Sequence, residues 1–145
     1  ELQRLASFLS EKLLTAQQST LTPPLSFASI AATSHNEISI FVSGDYVCFH
    51  KRGDVVERVF GAHSPADGPT IFQGPHGWFR GVKLTLAPSE RILVGSSIFG
   101  FPGISADIAA ALEQPSASAA AKTAWQNAVI RGLSGNIALA VLDPV

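Results

Sequence analysis

The chain has a single cysteine and no methionine, few charges for its length, and no long apolar run. Each shortage excludes something. With Cys48 alone there is no internal disulfide framework and no cysteine-rich zinc site. Cys48 lies in the apolar run Tyr46-Val47-Cys48-Phe49-His50 and reads as a buried thiol packed like a small hydrophobe. A reactive thiolate needs a cationic or helix-terminal setting, and His50 two residues away does not supply one by itself. No run approaches the roughly 20 apolar residues of a spanning helix, and no signal-peptide pattern opens the chain. The expectation is a protein without a membrane anchor, working in the cytoplasm. Charged residues make up 14%, against about a quarter in an average soluble domain. Lys+Arg number 10 against 11 Asp+Glu, for a net charge of −1. That balance carries no electrostatic footprint for nucleic acid or for an anionic membrane. A surface short of charge is expected to face a partner or another part of the same protein.

What is present is apolar: 46% hydrophobic residues in 145, a length with room for one core and one domain, residues 1–145. The chain opens at Glu1, so a fragment, a processed product or a trimmed piece of a longer protein is expected.

The hydrophobic pattern changes period along the chain. Leu2, Leu5, Phe8, Leu9 and Leu13 recur at helical spacing, predicting an amphipathic helix over 2–17 that Thr22-Pro23-Pro24 ends. Strands are then predicted over 26–33, 37–43, 46–51 and 55–60. They are separated by Ser34-His35-Asn36, Gly44-Asp45 and Arg52-Gly53-Asp54, residues that favour tight turns. Connections this short predict a β-meander of antiparallel neighbours. Residues 61–77 are predicted as a loop, 79–86 as an alternating strand, 91–95 as a buried strand, and 96–103 as a loop. Ser105 is the predicted N-cap of a helix over 106–112 with Asp107 in its first turn. Ser116 or Ser118 is expected to cap a second helix running to Arg131, with Gly132 as its stop. Residues 136–142 close the chain as a strand. The fold class is therefore α+β, antiparallel sheets flanked by helices, and not a βαβ nucleotide-binding fold.

Several short segments, in order, carry a resemblance. The strand running into Gly44-Asp45-Tyr46-Val47, the small-residue stretch upstream from Ser19-Thr20 to Ile30-Ala31, the segment Leu86-Ala87-Pro88-Ser89-Glu90-Arg91-Ile92-Leu93-Val94-Gly95-Ser96, and the closing Ser134-Gly135-Asn136-Ile137-Ala138-Leu139-Ala140-Val141 together resemble the C-terminal part of the metal-dependent Ser/Thr protein phosphatases (the PPM, or type 2C, family). The resemblance implies a partial β-sandwich of the PPM type. It also implies a site in which two divalent metals between carboxylates activate a water for attack on phosphorus. Magnesium and manganese take oxygen ligands, chiefly Asp and Glu. Here the family's Ser-Asp-Gly aspartate is replaced by Ser97, with Ile98 after it, and the Asp-Asn aspartate by Gly135, leaving Asn136. Asp45 matches an aspartate, but in the family that turn is mainly structural. The remaining family ligands belong to an N-terminal half that this chain does not contain.

The resemblance thus implies a degenerate relative: a pseudophosphatase-like, non-catalytic interaction or regulatory module with no catalytic residue and no metal or other cofactor. The alternative is a segment of an active phosphatase, using manganese or magnesium, completed by a missing N-terminal half. A protein partner or that missing half, or a second copy of the chain, is expected to cover exposed sheet surface. His76, Trp78 and Arg80 form an aromatic-basic cluster that is a candidate partner contact, although Trp78 also serves as the start of a core strand. His35, His50, His63 and His76 have no metal-ligand spacing, and a zinc site from His63, His76 and Asp67 lacks a further strong ligand. Ser96-Ser97 lacks the Gly-x-Ser-x-Gly elbow of a serine nucleophile.

Overall fold

The computed structural model describes residues 27–32, 35–61, 71–74, 77–101, 103–135 and 137–144. The helix expected over 2–17 lies outside the described residues. Among the described residues eight strands are seen: β1 Phe27–Ala32, β2 Glu37–Ser43, β3 Tyr46–Arg52, β4 Val55–Phe60, β5 Ile71–Gly74, β6 Gly77–Thr85, β7 Arg91–Ser96 and β8 Leu139–Leu142. Two helices, α1 Ser105–Leu112 and α2 Ala117–Ile130, separate β7 from β8. The strands form two antiparallel sheets of four, ordered β1-β2-β6-β5 and β4-β3-β7-β8. The architecture is α+β.

The expected meander does not form. β2 has β1 on one side and β6 on the other, so neither edge is free for β3. The chain instead passes at Gly44-Asp45 from the first sheet to the second, where β3 pairs with β4 and β7. Of the four strands expected in the meander, only β1–β2 and β3–β4 are hairpin neighbours. Further corrections are local. The stretch predicted as a loop contains β5, held by pairing to β6 from Ile71↔Arg80 to Gly74↔Gly77, and β6 begins at Gly77. Part of the loop after β7 is a short 3-10 helix, Ser97–Gly100. Ser105 is inside α1, not its cap: the residue before it is Ile104, with helical backbone angles and no side-chain cap bond. β8 starts at Leu139 rather than at 136.

Burial follows from this layering. Ile38, Ile40 and Val42 alternate along β2 and meet Cys48, Phe60, Ile92 and Val94 of the second sheet between the layers. The opposite face of the second sheet, with Val47, Phe49 and Leu93, packs under Phe99, Ile104, Ile108, Leu112, Ala124 and Ala128. β3 and β7 are therefore covered on both faces, which explains their unbroken apolar runs. Burying a side chain such as Phe60 or Phe99 contributes about 2–3 kcal/mol by area.

The helices are fixed at their ends. The Ser116 hydroxyl accepts from the Ala119 N–H at 3.2 Å, capping α2. At the other end the Gly132 N–H donates to the Val129 carbonyl and the Leu133 N–H to that of Ala128. This is the Schellman pattern, and Gly132 takes the positive φ, 69°, that it requires. Ala120, Ala124 and Ala128 form the buried face of α2, small enough for close packing. Arg91 joins the layers: its guanidinium pairs with Asp143 and donates to the Leu112 and Gln114 carbonyls at the end of α1. Asp143 in turn accepts from the Ala117 N–H at the start of α2, where a carboxylate suits the unpaired N–H groups.

Candidate functional site

Three chain segments converge at one end of the second sheet. β7 ends at Ser96, whose N–H donates to the Ala138 carbonyl at 2.9 Å, and whose hydroxyl accepts from the Ala138 N–H at 3.3 Å. The next N–H, that of Ser97, donates to the Asp45 carbonyl at 2.8 Å. The Gly44-Asp45 turn, the end of β7 and the approach to β8 are thus tied together by backbone bonds. Gly95 opposite Leu139 extends the register into β8.

This end holds four sequence-identified positions. Gly44 and Asp45 form the turn between the sheets, and both are exposed. Ser97 opens the 3-10 helix and is exposed. Gly135 is exposed and three residues ahead of Ala138. Its φ is 134°, a region that L side chains rarely adopt. A carboxylate at this position would require a different local backbone, so more than a side chain separates it from a metal-binding aspartate.

The chemistry available is limited. Asp45 brings one carboxylate, Ser97 a neutral hydroxyl, and Gly135 nothing. Among the described residues, no three His, Cys, Asp or Glu side chains gather as a metal site. A pair of hard divalent ions requires several charged oxygens, and the described residues do not fit one.

The remaining candidates lie elsewhere. Trp78 and Arg80 are on β6, in backbone register with Gln73 and Ile71. His76, His63 and Asp67 lie outside the described residues, as does Asn136. His35 is exposed in the turn before β2. Cys48 is fully buried in the sandwich, and burial pushes its thiol up to about 12, so it is not a nucleophile near neutrality.

An open pocket of about 340 Å³ is lined by Lys51, Glu90, Arg91, Glu113, Gln114 and Asp143, among others. Several of its charges already have partners: Lys51 pairs with Glu113 at 3.3 Å and Arg91 with Asp143. Sequence reasoning missed this knot, because its members come from β3, β7, both helix ends and the segment after β8. Only the isolated Arg91 ahead of the buried run Ile92-Leu93-Val94 hinted at it.

The fold has known counterparts. The PPM Ser-Thr phosphatase MsPP from Mycobacterium smegmatis, solved with cacodylate, superposes with a TM-score of 0.73 at 15% identity, covering 96% of this chain and 71% of that one. PppA, a key regulatory component of T6SS in Pseudomonas aeruginosa, gives 0.66 at 17% identity, over 98% and 66%. The phosphatase domain of the cell fate determinant SpoIIE from Bacillus subtilis gives 0.62 at 12% identity, over 92% and 63%. No protein-family model matches the chain, and no curated protein does. At such identities the likeness is one of fold, and the fold is that of the PPM-type Ser/Thr phosphatases. The chain spans about two thirds of the length of PppA and of the SpoIIE domain.

Proposed function

We propose that this chain is a pseudophosphatase-like module that regulates or binds and does not hydrolyse phosphoesters. The observation that carries this reading is the pair of positions at the convergent end of the second sheet. By the family resemblance, metal-binding carboxylates belong there. This chain has Ser97 at one position and, at the other, Gly135 with a backbone angle foreign to aspartate. Without those charges, a metal-bound nucleophile has lost two anchors.

The proposed role is association, in the cytoplasm, with a protein partner or a second copy of the chain. Phe101, Trp125, Val129 and Ile130 are large apolar side chains left exposed, Ile130 at 81%, and aromatic anchors of this kind dominate interface energetics. Among the described residues no helix is long and apolar enough to cross a membrane.

The test is turnover of p-nitrophenyl phosphate with manganese or magnesium. The 145-residue chain is expected to match the buffer blank. Metal-dependent hydrolysis that scales with protein sinks the proposal. The second reading, a segment of an active enzyme, is supported by the chain's span of about two thirds of PppA and the SpoIIE domain. It predicts hydrolysis only when a longer polypeptide restores the missing ligands.

A further inference from the structure

His50 is the one fully buried charged or polar side chain among the described residues. It lies on the sandwich side of β3, with Cys48, about 13 Å along the strand from the convergent end. Its Nε2–H donates to Glu90 Oε2 at 3.1 Å, in the turn between β6 and β7. Its Nδ1 is buried and has no hydrogen-bond partner. Glu57 lies directly opposite on the edge strand β4, with Oε1 at 3.9 Å from Nδ1. Arg52 stands between the carboxylates, 3.3 Å from Glu57 and 3.6 Å from Glu90.

The neutral ring fits this setting poorly. With its proton on Nε2, the buried Nδ1 lone pair faces a carboxylate, so two acceptors meet without a donor, and a buried polar atom left without its hydrogen bond is destabilising. Two carboxylates then share one guanidinium. A second ring proton changes both: Nδ1 becomes a donor aimed at Glu57, and the set becomes electrically balanced. Other nearby charges are committed elsewhere, Lys51 to Glu113 and Arg91 to Asp143. The sandwich-side neighbours Cys48 and Ile92 are uncharged.

We propose that His50 is a proton-operated clasp: its second proton, held on Nδ1 and donated to Glu57, fastens the edge strand β4 to β3 and to the Glu90 turn. Loss of that proton releases Glu57 and loosens β4, far from the convergent end of the sheet. Histidine is the side chain suited to act near physiological pH.

The experiment follows two signals in the 145-residue chain: the ring nitrogens of His50 by NMR, and amide exchange protection of Val55 to Arg58 relative to β7. When the ring gains its second proton, Nδ1 should show a bonded hydrogen and β4 protection should rise by about fivefold, as for a part-exposed ion pair. Glu57→Ala, at a side chain half exposed to solvent, should fold normally, abolish the rise and leave β7 unchanged. Glu57→Gln, which keeps an acceptor without charge, should retain a fraction of it. Protection of β4 that ignores the state of His50, or that rises equally in Glu57→Ala, overturns the proposal. Neither result bears on whether the chain hydrolyses phosphoesters.

Discussion

The Ser97 N–H donates to the Asp45 carbonyl at 2.8 Å, so the turn that carries the chain between sheets is fastened to the end of β7. The two residues are 52 apart in sequence and meet because β2 has no free edge and sends β3 across to the second sheet.

That bond frames a prediction for the convergent end. Ser97→Asp, at an exposed position, should change stability by no more than about 0.5 kcal/mol. Gly135→Asp should cost roughly 1–3 kcal/mol, because the side chain is strained at a φ of 134°. The double variant adds repulsion between carboxylates and should melt lowest. Manganese should recover part of that loss by binding the folded state, and should affect neither single variant. Thermal melts with and without the metal decide it: a double variant indifferent to manganese means that positions 97 and 135 do not share a site.

A second prediction concerns the packing of Gly95 in β7. A Cβ there would come within 2.6 Å of the Phe99 ring, which is fully buried. Gly95→Ala should therefore destabilise by about 1–3 kcal/mol through overpacking, in spite of alanine's smaller backbone entropy cost. Adding Phe99→Leu should recover part of the loss, and denaturant melts of the single and double variants would expose a non-additive pair. An additive result would show that the two side chains do not compete for space.

Acid stability should depend on Glu90. The Ala87 N–H holds its carboxyl below the usual range, burial opposes this, and His50 and Arg52 lower it further. A carboxylate whose folded pKa is depressed stabilises above its unfolded value, about 4.3. That contribution is lost as pH falls through the folded value. Glu90→Gln should be less stable than the parent at neutral pH and converge with it in acid below about pH 4. A constant gap between the two melting curves from neutral to acid pH would contradict this assignment.

Association should be visible directly. Trp125, Val129 and Ile130 are exposed on α2, a helix with Lys122 as its only charged residue. Light scattering in the micromolar range should show a dimer or, with a partner present, a complex, and Trp125→Ser should weaken it. A strict monomer that binds no apolar dye would argue against the associating role.

Much of the fold was legible where local chemistry suffices. The alternation of Ile38, Ile40 and Val42 marked β2, the run Ile92-Leu93-Val94 marked a strand covered on both faces, and Ser116 and Gly132 marked the ends of α2. β5 was hidden because four residues among glycines and prolines become a strand only through the pairing that β6 offers. Ser105 read as a cap because serine suits that role, but the chain enters α1 already helical at Ile104.

The sequence by itself determined most of the strands, the limits of α2 and the absence of carboxylates at Ser97 and Gly135, because these depend on side-chain type and on neighbours a few residues away. The tertiary structure decided the rest. A two-residue turn gives no sign of whether it closes a hairpin or crosses between sheets; that depends on whether β1 and β6 already occupy both edges of β2. The Arg91 knot and the Glu57–His50–Glu90 alignment likewise arise from groups distant in the chain, brought within a few ångströms by the packing of two sheets and two helices.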